Sequence, residues 1–186
     1  MSAVAEIFLR SGSWEEAKEI VLKTNALQCR SAASSQRLER EIRPRLQRMT
    51  HEQLHEIAHS DSQSRICLSW LAAVKHSAFL YEFAADLLRS KLELHDLTLR
   101  ESDYRRFLEE KRIVHPEITR LSAVTEGKVR RVLFAMLREM GILHDCNDGI
   151  GKIERPLIPY QVETLIRQED PGLLAAFLVP DSEIRK

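Results

Sequence analysis

The stretch ICLSWLAAVKHSAFLYEFAADLL, residues 66–88, decides the fold. It is apolar enough to suggest a membrane span, which needs about 20 predominantly apolar residues. Lys75, Glu82 and Asp86 interrupt it on more than one side, and ionised groups so placed would face hydrocarbon. The stretch therefore reads as the buried central helix of a helical domain, starting at Asp61 and running to about Leu92.

Helix signals recur on its N-terminal side. Ser13 with Glu16 makes a capping box before WEEAKEIVLKT, and Thr50 with Gln53 makes another before HEQLHEIAH. Between them, SAASSQRLEREIRPRLQRM places Leu38, Ile42, Leu46 and Met49 at helical spacing, which marks one buried face. Pro44 has no N–H to donate, so a kink or restart is expected near Arg43.

On the C-terminal side, ELHDLTL crosses into SDYRRFLEEKRI, a helix that His115-Pro116 ends; Pro116 suits the first turn of a short helix. Thr125 reads as the cap of the strongest amphipathic helix. Val129, Val132, Leu133, Met136, Leu137 and Met140 form its apolar stripe, and Gly141 is its left-handed terminator. ILHDCNDGIGKIERPLIP then carries two β-compatible runs around an Asn147-Asp148-Gly149 turn, a hairpin signal. A short helix, YQVETLIRQ, and an apolar LLAAFLV segment follow. The expected architecture is all-α with a small C-terminal β-hairpin, divided into an N-terminal helical domain over 1–112 and a helix-hairpin-helix domain over 113–186, with a single domain as the alternative.

Composition narrows the function. At 44% hydrophobic and 30% charged the chain is ordinary globular protein. Lys plus Arg equals Asp plus Glu at 28 each, so no overall field draws it to nucleic acid or to an anionic membrane, and any such surface is local. Cys29, Cys67 and Cys146 are odd in number and never in a C-x-x-C pair, which argues against a disulfide framework and a closed zinc site. The first residues lack the basic region and cleavage site of a signal peptide. A reducing, cytoplasmic location with no membrane partner is the expectation.

The local surface is visible in residues 28–48, where six arginines (30, 37, 40, 43, 45 and 48) stand against Glu39 and Glu41. On a helical wheel Arg37, Arg40 and Arg48 lie opposite the Leu38, Ile42, Leu46 face and form a cationic ridge. Arginine suits phosphate because its planar fork makes two hydrogen bonds to phosphate oxygens. Ser31, Ser34 and Ser35 could add neutral contacts at the helix start, where free amides favour an anion. The alternative is a solvated face on which Glu39 and Glu41 pair locally. A second candidate is the helix after Thr125, with Lys128, Arg130, Arg131 and Arg138; a basic helix followed by a hairpin has the outline of a winged helix-turn-helix.

Two motifs compete with a binding role. His51-Glu52-Gln53-Leu54-His55 matches H-E-x-x-H, in which two histidines one turn apart bind zinc and the glutamate activates water. His51 falls in the wet first turn, His59 is too close along the same helix to act as a third ligand, and no strand upstream could align a peptide. The HDCND cluster at residues 144–148 reads as a polar turn. With no phosphate-binding Gly-rich loop and no G-x-S-x-G elbow, neither a metal, a cofactor nor a catalytic residue is assigned.

The segment NALQCRSAASSQRLEREIRPRL, Asn25 to Leu46, resembles the signature of the BrxA family of BREX phage-defence systems. SWLAAVKHSAFLYEFAADLLRSK (Ser69 to Lys91), DYRRFLEEKRIVHPEI (Asp103 to Ile118) and TEGKVRRVLFAMLREMGIL (Thr125 to Leu143) follow in family order, so the resemblance covers most of residues 13–143. It implies a small helical bundle similar to the antitermination factor NusB, encoded beside a large ATPase, an adenine methyltransferase and a phosphatase-like subunit. It also implies DNA binding without an enzymatic activity. The function expected is a non-enzymatic accessory subunit that binds double-stranded DNA through Arg30, Ser35, Arg37, Arg40, Arg43, Arg48, Lys128, Arg130, Arg131 and Arg138. A protein-protein scaffold and an RNA-binding NusB-like factor are the alternatives.

Overall fold

The computed structural model describes residues 1–114, 122–147 and 149–185, so the expected His115-Pro116 break and Asp148 of the turn lie outside the described residues. Helices dominate, with a small antiparallel sheet, as the sequence periods require. The chain forms two compact units, residues 1–78 with 158–169, and residues 79–157 with 170–186.

Unit 1 contains α1 (Ser2–Ser11), α2 (Trp14–Thr24), α3 (Ala32–Leu46), α4 (His51–His59) and α5 (Ser62–His76). Its caps fall at the expected residues, but the box expected at Ser13 is one-sided. The Ser13 hydroxyl accepts from the Glu16 amide at 3.4 Å, and Thr50 and Gln53 complete a reciprocal capping box. Asp61 caps α5 by accepting from the amides of Gln63 and Ser64. Pro44 sits in the last turn of α3, where its missing N–H removes one i→i−4 bond, and the helix stops two residues on, at Leu46. α1 buries Val4, Ala5 and Ile7 and packs on α2 and α4, while Phe8 stacks on Trp14 with ring centroids 3.8 Å apart.

The expected 61–92 helix is not one helix. α5 ends at His76, Ser77 is extended, and a new helical run starts at Ala78. That run comprises α6 (Ala78–Glu82), a π-helical segment at Phe83–Leu88 and α7 (Arg89–Glu93). The chain leaves unit 1 just after this break, so in place of the expected boundary at 112/113 the two units divide at 78/79. The C-terminal half divides as well: α10 (Tyr160–Glu169) buries Val162 and Ile166 in unit 1, against α4 and α5. A helix's sequence position does not say which core its apolar face joins, and this one joins the earlier core. Among the described residues no helix is long and apolar enough to cross a membrane.

Unit 2 is built on aromatic contacts. Phe83, buried in the π segment, meets Phe107 edge-on at 5.1 Å, and Tyr104 meets Phe134 at 5.5 Å. These rings come from the π segment, α8 (Glu101–Val114) and α9 (Ala123–Glu139). The LLAAFLV segment lies within a 3-10 helix, Pro171–Phe177, and the residues after it; it buries Leu174 to Val179, and α11 (Asp181–Ile184) follows. β2 (Leu143–His144) pairs antiparallel with β3 (Gly151–Ile153), the expected hairpin. A third strand, β1 (Thr98–Leu99), pairs with β3 on its other side. Gly151 is required there, because a Cβ would stand 2.6 Å from the Leu143 side chain and 2.8 Å from the His144 carbonyl oxygen.

Candidate nucleic-acid interface

On α3 the buried positions are Ser35, Glu39, Ile42 and Leu46, a spacing of four, three and four that traces one helix face. Arg37 and Arg40 project from the opposite face, and Arg48 is exposed just past the helix end. Arg30 is exposed in the loop before the Ser31 cap, a loop pinned by two hydrogen bonds between the Asn25 side chain and the Cys29 backbone, both 3.0 Å. Among the described residues, Arg30, Arg37, Arg40 and Arg48 form no ion pair and no side-chain hydrogen bond.

Three expectations for this helix are corrected. Ser35 is 3% exposed, so it lies in the core and cannot reach a phosphate. Glu39 is 1% exposed and takes Arg43 with it, the guanidinium donating to its carboxylate at 2.5 Å. Arg43 is thereby committed to a buried acid, and Glu39 is absent from the wet face where it would have neutralised the ridge. Ser31 is occupied as well, its hydroxyl capping the Ser34 amide at 3.2 Å. The ridge is therefore Arg37, Arg40 and Arg48, with Glu41 as the one acid of the segment left exposed.

On α9 the apolar face is rotated from the expected stripe. Leu133, Phe134, Leu137 and Met140 are buried, whereas Val132 is 53% exposed and Val129 lies at the surface. Ser122 caps the helix in place of Thr125, accepting from the Thr125 amide at 3.3 Å. Gly141, at φ +76°, ends it with the Ile142 amide donating to the Leu137 carbonyl. The rotation turns Arg130 inward over the rings of Tyr104 and Phe134, paired with Glu101. Arg138 pairs with Asp145 at 3.1 Å. Lys128 and Arg131 remain exposed and form no ion pair among the described residues.

The H-E-x-x-H residues line an open groove of about 440 Å³ between α4 and α10, with His51, Glu52 and His55 facing Tyr160 and Thr164. His59 turns back on its own helix, 2.8 Å from the His55 carbonyl oxygen, with its ring 4.5 Å from that of His55. Among the described residues no three His, Cys, Asp or Glu side chains are grouped to hold a metal ion.

Fold and surface define a class: a mainly helical, two-unit protein with a helix face whose arginines are unpaired among the described residues. Residues 1–170 match the BrxA family, and the chain belongs to it. That membership sets it among BREX-related phage-defence proteins. The match takes in α1, which the sequence resemblance had not reached. The fold is similar to that in the crystal structure of an uncharacterized protein from Magnetospirillum magneticum, with a TM-score of 0.77 over 96% of this chain and 91% of that one at 20% identity. A comparison with curated proteins gives no match.

Proposed function

We propose that the chain is a non-catalytic subunit of a BREX defence system that binds double-stranded DNA in the cytoplasm and works with the system's ATPase, methyltransferase and phosphatase-like subunits. One observation carries this reading: among the described residues Arg37, Arg40 and Arg48 are exposed and unpaired while the acid beside them, Glu39, is buried. A guanidinium without a protein partner keeps all its donors for phosphate oxygens. Contacts of this kind hold the backbone and do not read bases, so binding is tolerant of sequence. Lys128 and Arg131 offer a second set of phosphate contacts in unit 2. Gel shifts with duplex DNA, single-stranded DNA and RNA test the proposal, with duplex binding expected at low salt. A preference for RNA would favour the NusB-like reading; no nucleic-acid binding, together with capture of a partner subunit that Arg37→Ala/Arg40→Ala abolishes, would favour the scaffold.

A further inference from the structure

Unit 2 holds an open depression of about 700 Å³ lined by Arg100, Arg130 and Arg138 and by one acid, Glu101, together with Phe134 and Gly149. Arg100 immediately precedes α8, and the other two arginines come from α9. Each guanidinium is held in place by the protein itself. Arg130 lies over two rings, 5.4 Å from the centroid of Tyr104 and 5.3 Å from that of Phe134. Arg138 donates to the Ile150 carbonyl at 3.2 Å, and Arg100 to the Thr98 carbonyl at 3.4 Å. Gly149 admits this close fit: a Cβ there would stand 2.6 Å from the Leu99 carbonyl oxygen.

Each arginine of the lining has an acid partner, but two of those acids, Asp96 and Glu101, are shared with Lys91 and Arg105, which lie outside the lining. Asp96 is shared by Lys91 and Arg100, Asp103 by Lys91 and Arg106, and Glu101 by Arg105 and Arg130, while Asp145 serves Arg138. Among the described residues these four carboxylates thus serve six cations. The acid on Arg138 is also easily exchanged, since the Asp145 side chain is 90% exposed and such surface pairs contribute little. The Arg130 Nε is buried without a hydrogen-bond partner.

We propose that this depression binds a terminal phosphate, the dianionic monoester of a nucleotide or of a phosphorylated DNA end. A phosphate inside a nucleic-acid chain carries one negative charge and continues on both sides, which suits an open ridge. A terminal phosphate is approached from one side and carries close to two charges, which suits an open depression lined by three fixed guanidiniums. The proposal does not rest on the α3 ridge.

Isothermal titration of the full chain with inorganic phosphate, adenosine monophosphate, adenosine, and one duplex with and without 5′-phosphates tests it. Phosphate and adenosine monophosphate should bind saturably, adenosine should not, and Arg100→Gln and Arg138→Gln should each weaken binding about ten-fold or more. The Gly149 amide resonance of the wild-type chain should move on addition of adenosine monophosphate. Displacement of the nucleotide by the phosphorylated but not the unphosphorylated duplex would identify DNA ends as the source; displacement by neither would identify free nucleotide. If Arg138→Gln fails to fold, Arg138→Lys, which keeps the charge but loses the fork, should show the same weakening. Absence of saturable binding by any phosphate-bearing probe, or binding unchanged in both variants, would overturn the proposal. Arg37→Ala/Arg40→Ala should leave nucleotide binding intact, so this site and the ridge fail separately.

Discussion

Arg37 and Arg43 are six residues apart on one helix and have opposite roles, set by which face each occupies. Arg43 is tied to a carboxylate buried at 1% exposure, whose second oxygen, Oε2, has no hydrogen-bond partner. Glu39→Ala should therefore lower stability by about 2 kcal/mol in urea unfolding, because it strands Arg43 at the core edge. Arg37→Ala should shift it by less than about 0.5 kcal/mol. The outward direction of Arg37, Arg40 and Arg48 was legible, since the helical period gives it directly. The burial of Ser35 and Glu39 was not, because their polarity argues for solvent while only their register with Ile42 and Leu46 argues against it. In unit 2, hydrogen bonds from Lys91 and then Arg100 lower the Asp96 carboxyl from 3.8 to about 2. A lowered folded value stabilises above the unfolded one, and that stability is lost as pH falls from 3.8 toward 2. Asp96 is about half exposed, so the effect is screened. The thermal midpoint of wild type should still fall more steeply over that window than that of Asp96→Asn; parallel curves would show that the pair contributes nothing.

Among the elements, those with strong local signals were the legible ones. α2, α4 and the β2–β3 hairpin lie where caps and turn residues put them, because those signals act within four residues. Thr50→Ala, which removes the hydroxyl from a reciprocal box, should cost about 1 kcal/mol in urea unfolding. β1 was missed because two residues give no alternation to detect, and its pairing partner, β3, lies about 50 residues on. The α9 face departs from the spacing of its apolar residues because the Tyr104 and Phe134 rings draw Arg130 in and Val129 and Val132 turn to the surface. On α4, the groove-facing His51 and His55 have an exposed, aqueous setting. Zinc should leave the thermal midpoint unchanged, and His51→Ala and Glu52→Ala should fold as wild type does. A stoichiometric zinc that both variants lose would contradict this.

Across the whole molecule, zero net charge conceals an uneven distribution. Lys75, Arg89, Lys91 and Lys111 are each paired with acids inside their own units, as structural cations. The ridge arginines have no such role, which is why a neutral chain retains a local cationic face. A division in two is legible but its course is not: α10 joins the first core from beyond residue 157, and only tertiary packing shows it. Family and helical class were legible, since they rest on contiguous motifs. The most direct test of the account is the salt dependence of duplex binding by wild type and by Arg37→Ala/Arg40→Ala. Each phosphate contact releases counterions and contributes about 0.9 to the log–log slope, so losing two should lower it by about 1.8 and weaken binding on every sequence. A double mutant that is folded by circular dichroism yet keeps wild-type affinity and slope would contradict the account.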